Sequence, residues 1–353
     1  MSSTRGYSHG ANGFLPALQF LSPEVASARA LASKAMIDDS PAPGLLGRRL
    51  VFVLGKGGVG RSTLAAALGL LAARRGARTI VAEVSGRGEL AQLFGVGVQP
   101  GEVEVAPRLW AIQIATERAL DEYLHEHLPL RMLADLVGAT RLIGYLAAAT
   151  PGLRELLNVG KLWELAQPER RVPDVSPYDL VVVDAPASGH SLALLTAPRT
   201  FARTAQGGPI ARQGGRIDEF LHDRRSTAVV AVARPEDAAV SELLDLNARL
   251  LREANLPVDL VVVNAVSDER LDEADASALR RALGRPPELP PAAQAAVERV
   301  LAADHESRLE RDQIERLAAA LPSVPRVELR RSYSGDLDLV ELEALAAQLE
   351  AEL

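Results

Sequence analysis

The chain has 353 residues, 48% of them hydrophobic and 24% charged, with 39 Lys and Arg against 46 Asp and Glu for a formal net charge of -7. That balance describes a globular chain with a large core and excludes a disordered one. With no cysteine in the chain, disulfides, thiolate metal sites and cysteine nucleophiles are excluded, and the mild acidity gives no standing attraction to nucleic acid or anionic lipid.

Residues 1–47 hold Gly, Ser and Pro clusters and read as a poorly ordered N-terminal extension, with one short helix expected near 23–35. They show neither a charged segment followed by an unbroken apolar run nor, as in the rest of the chain, the roughly 18 apolar residues of a membrane span. A cytoplasmic location without stable membrane insertion is therefore expected.

From Arg48 onward, short apolar runs recur at 50–54, 79–83, 109–114, 178–183, 228–233, 258–263 and 324–329. Two contain triple valines, Val181-Val182-Val183 and Val261-Val262-Val263. Continuous runs of this kind suit strands buried on both faces of a parallel sheet. Ala/Leu/Arg-rich helical stretches, such as 62–75 and 237–254, lie between them. The alternation predicts an α/β fold, a doubly wound and mostly parallel sheet, spanning 48–353. The connection before Tyr178 exceeds the dozen or so residues that a crossover needs. Its excess, about 117–167, reads as a helical insertion. Residues 292–319 and 337–353 also read as helical.

The strongest signal is Gly55-Lys56-Gly57-Gly58-Val59-Gly60-Arg61-Ser62-Thr63, placed between an apolar strand and a helix. Glycines let backbone amides wrap an anion, and the helix N-terminus adds aligned donors and partial positive charge. Ser62 is placed to ligate magnesium through its hydroxyl. The match to GxxxxGK[ST] has one fault, because Arg61 stands where the lysine belongs. Asp184 ends a triple-valine strand, where an aspartate faces the ligand crevice and helps hold magnesium in a P-loop protein. Asn264 ends the other; its amide can pair with adenine or simply end the strand in a turn.

Together these motifs resemble the arsenical-pump-driving and tail-anchored-protein-targeting ATPase family, a deviant P-loop class, over about 48–266. The loop is similar to that family's, whose extra lysine follows the first glycine. The run Asp184-Ala185-Pro186-Ala187-Ser188-Gly189-His190 resembles its DTAPTGH segment, with the proline one place earlier. Pro151-Gly152-Leu153-Arg154-Glu155 resembles a stretch of its helical region. The likeness is greatest to bacterial soluble relatives, whose first switch reads EVEGR where this chain has residues 83–87.

The resemblance implies ATP and Mg2+ as ligands. Gly55 and Gly57 to Gly60, with Val59, Arg61 and Thr63, would wrap the phosphates, while Ser62 and Asp184 would hold magnesium and Asn264 adenine. Lys56 would reach the phosphates of a partner subunit in a homodimer or in a heterodimer with a paralogue, and the insertion would bind a client protein. The family's water-orienting aspartate falls on Ser85, and serine is a poorer base. Arg61 and Ser85 together predict weak or absent hydrolysis, with Glu83 and Glu89 as candidate substitutes that spacing does not separate.

Three functions compete. The first is an ATP-driven dimeric switch acting on a client. The second is a degenerate subunit lending Lys56 to an intact paralogue. The third is a partitioning or division-site ATPase, which the six acidic and no basic residues of 336–353 disfavour. The cation usage bears on the first two. Only Lys34, Lys56 and Lys161 are lysine among 39 cations, so Arg61 fits a general drift to arginine, whereas Lys56 is kept against it.

Overall fold

The computed structural model describes residues 44–84, 88–97, 101–116, 119, 152–169, 176–204, 209–268, 271–283, 289–332 and 338–353. Of the expected extension this leaves 44–47, where Leu45–Gly47 form a 3-10 turn. Of the expected insertion, about 117–167, it leaves residue 119 and residues 152–167, where Leu153–Leu165 form a helix.

Eight strands among the described residues form one sheet: β1 Leu50–Gly55, β2 Thr79–Glu83, β3 Val103–Ala106, β4 Leu109–Gln113, β5 Leu180–Asp184, β6 Thr227–Ala233, β7 Leu260–Val266 and β8 Arg326–Arg330, in the order β3-β4-β2-β5-β1-β6-β7-β8. All neighbours are parallel except β3 and β4. Each of the seven apolar runs is a strand. Strands β1, β2, β5 and β6 are buried along their whole length, which is why they carry continuous rather than alternating apolar sequence.

Among the described residues the helices are α1 Arg61–Arg74, α2 Glu89–Leu93, α3 Leu153–Leu165, α4 Ser188–Thr204, α5 Pro209–His222, α6 Asp237–Arg249, α7 Glu273–Leu283, α8 Pro291–Ala320 and α9 Leu339–Glu352. Helix α6 runs on into a π-turn, Leu250–Ala254. The α1 helix is buried almost throughout, from Ser62 to Ala73. It packs on β1, β2 and β5, and α9 packs on its other side. Close approach depends on Gly69, where a Cβ would overlap the Val81 side chain. Helices α3, α4 and α5 form a second packed group.

The chain leaves β1 toward β2 on one side, while β6 and β7 lie on the other. Strand order therefore reverses at β1. In open α/β sheets this point, at the carboxyl ends of the strands, opens a crevice for ligands.

Candidate functional site

The end of β1 feeds the glycine loop, and the sheet explains its glycines. A Cβ on Gly55 would overlap the Val232 carbonyl oxygen of neighbouring β6. Gly60 caps α1 with φ +93, and a Cβ there would strike the Asn264 amide. Side chains are strained at such φ. The loop is thus pressed against the ends of β6 and β7, with the N-terminus of a long buried helix behind it. That arrangement concentrates amide donors and positive dipole on one spot.

Ser62, in the first turn of α1, is buried. Its Oγ lies 2.6 Å from Oδ2 of Asp184 and 2.8 Å from Oε2 of Glu89. Strand pairing sets Asp184 beside Val53 on one side and Glu83 on the other. Asp184 is 1% exposed, and its Oδ1 has no hydrogen-bond partner. Burial pushes its carboxyl up to about 6; the Ser62 hydrogen bond and the Arg61 guanidinium oppose the rise, and Glu83 and Glu89 add to it.

This donor set fits a hard divalent cation: a hydroxyl, carboxylates and one orphaned buried oxygen. Among the described residues no three Asp, Glu or His side chains converge to hold a metal unaided. A cation here would complete its shell with phosphate oxygens and water, as magnesium commonly does.

Arg61, in the lysine position, donates from Nη1 to the Ala185 carbonyl. It ties the glycine loop to the loop after β5. Lys56 Nζ lies 3.6 Å from Glu242 Oε2 on α6, and the other Glu242 oxygen accepts from Ser188 at the start of α4. Asn264 sits beneath the loop, where its Nδ2 donates to the Val59 carbonyl at 2.9 Å. Ala265 follows with φ +60, and its carbonyl accepts from Arg331. Ser267 donates its amide and hydroxyl to Glu310, which also pairs with Arg331 at 2.6 Å.

The structure therefore brings the residues from Gly55 to Thr63 together with Asp184 and Asn264. Ser85 lies outside the described residues, as does Lys34. Glu242 escaped sequence reasoning, because only the fold brings α6 to Lys56. Glu83 and Glu89 are now distinguished. Glu83 is 1% exposed and accepts from the amides of Gly88 (2.8 Å) and Leu90 (3.2 Å), so it shapes the turn. Glu89 faces Ser62.

A tight glycine loop between a central parallel strand and a helix N-terminus, facing an aspartate on the next strand at the reversal point, defines a P-loop nucleotide-binding protein. Residues 48–206 match the family model described as anion-transporting ATPase. The chain is 33% identical over 239 residues to ATPase BagA of Mycobacterium tuberculosis, covering 65% of this chain and 69% of that protein. It is 30% identical over 234 residues to an arsenical pump-driving ATPase of Halobacterium salinarum, covering 63% and 36%. It is 26% identical over 268 residues to ATPase GET3B of Arabidopsis thaliana, covering 62% and 64%. The chain belongs to the anion-transporting ATPase family.

Proposed function

We propose that this protein is a dimeric switch that binds Mg-ATP, hydrolyses it slowly, and uses the change to rearrange the region 117–167 around a client protein. The observation that carries the reading is the convergence of Ser62, Asp184 and Asn264 on the glycine loop.

In this reading the amides of Gly57 to Gly60 and the α1 N-terminus hold the phosphates. Ser62 and Asp184 hold magnesium, which would neutralise phosphate charge. Asn264 is oriented by its bond to Val59 and keeps an oxygen and a second N–H for the adenine edge. Lys56 acts in trans, neutralising charge that develops on the partner's phosphates, as an arginine finger does. To do so it must leave Glu242. Both side chains are more than a third exposed (43% and 34%), and such a pair is worth at most about 1 kcal/mol. Closure therefore meets little resistance there. The Arg61 bond to Ala185 supports slow turnover, because the guanidinium must exchange a backbone carbonyl for a phosphate.

The test is sedimentation velocity with and without a non-hydrolysable ATP analogue and magnesium. The unmodified protein should shift toward dimer with the analogue. Lys56→Ala should bind the analogue but lose most of the shift. A sedimentation coefficient unchanged by nucleotide at concentrations that saturate binding would sink the dimeric switch.

A further inference from the structure

Ser62 Oγ carries one proton, yet two carboxylates lie within hydrogen-bond distance of it, Asp184 at 2.6 Å and Glu89 at 2.8 Å. A hydroxyl can donate to only one of them. The other contact then sets an oxygen against an oxygen with no proton between them. Beside them lies the orphaned Asp184 Oδ1 in a buried setting. The Arg61 guanidinium offsets part of the charge on Asp184, but two carboxylate oxygens on one hydroxyl in a low-dielectric site still favour a cation beside them.

The spacing has a second meaning. Octahedral magnesium holds its ligands at 2.0–2.1 Å, so neighbouring ligand oxygens stand about 2.9 Å apart. The Ser62 to Glu89 and Ser62 to Asp184 separations are of that size. Glu83 keeps Glu89 in place. With both its oxygens on the amides of Gly88 and Leu90, it builds the turn that opens α2 and presents Glu89 to α1.

We propose that Glu89 supplies a carboxylate oxygen to the magnesium ion of the nucleotide complex, alongside Ser62 and Asp184. This rests on the reading of the glycine loop as a Mg-nucleotide site. It assigns Glu89 to the metal, not to the water-orienting role opened by Ser85. A purely structural role, in which Glu89 only ties α2 to α1, would change thermal stability and leave metal affinity alone.

The test uses Mn2+ as a paramagnetic substitute, titrated into the full chain with saturating ADP and followed by electron paramagnetic resonance. ADP affinity in EDTA is measured in parallel. Glu89→Gln should weaken Mn2+ binding by about tenfold or more while ADP affinity in EDTA stays within about twofold of the unmodified protein. Glu89→Asp should fall between them. Retained ADP binding with unchanged Mn2+ affinity in Glu89→Gln overturns the assignment alone. Failure of the unmodified protein to bind ADP at all overturns the site reading, and the assignment with it.

Discussion

Asp184 carries the most consequential single charge in the site. Its carboxyl is raised to about 6, chiefly by burial. A carboxyl whose folded value lies above its unfolded one stabilises the fold fully below about pH 4, and that contribution disappears as pH climbs through 6. In nucleotide-free protein the loss amounts to on the order of 2–3 kcal/mol by pH 7.5. Asp184→Asn removes the titrating group. Its melting temperature relative to the unmodified protein should therefore rise steadily from pH 5 to pH 7.5, while magnesium no longer tightens nucleotide binding. A difference between the two proteins that stays flat across that range would show that Asp184 does not titrate there. On the proposed reading, the site trades resting stability for a place to bind a cation. This residue was legible in the sequence, because an aspartate after three valines has few other places to go than the carboxyl edge of a buried strand. Glu242 was not legible, because its partners Lys56 and Ser188 are far away in the chain and no local pattern marks it.

Among the elements, the buried parallel strands were the easiest to read, since burial on both faces leaves unbroken apolar runs. Strand β3 was missed for the opposite reason: it is four residues long, half-exposed and antiparallel at the sheet edge. Helices α4 and α5 were also unread. Pro198 sits inside α4, and α5 contains Gly214 and Gly215, residues that disfavour helix interiors. Their contact explains the choice, because a Cβ on Gly214 would lie 2.8 Å from the Pro198 carbonyl oxygen. Tertiary packing overrides propensity there. Gly214→Val should thus force the two helices apart and destabilise the fold by roughly 1–3 kcal/mol in urea unfolding. A variant as stable as the parent would mean that this contact is loose. Since α4 starts at Ser188, four residues after Asp184, such a shift should also disturb the bond from Ser188 to Glu242.

Across the whole molecule, the fold gathers four distant segments at one reversal point: the loop after β1, the turn before α2, the end of β5 and the end of β7. The end of β7 is further braced by Glu310 on α8 and by Arg331 after β8. Lys56 and Arg61, nearly adjacent in sequence, take different roles. Arg61 joins loops within the subunit, and Lys56 stands in a weak exposed pair with Glu242, from which the partner subunit of the proposed dimer would draw it. All of this depends on nucleotide entering the glycine loop. Isothermal titration of the full chain with ATP, with magnesium and then with EDTA, examines that directly. Saturable binding of a single ATP per chain, tighter with magnesium and tighter than GTP, is the expected result. No saturable heat with magnesium and ATP up to roughly 1 mM, the concentration at which binding free energy has fallen to about 4 kcal/mol, would contradict it.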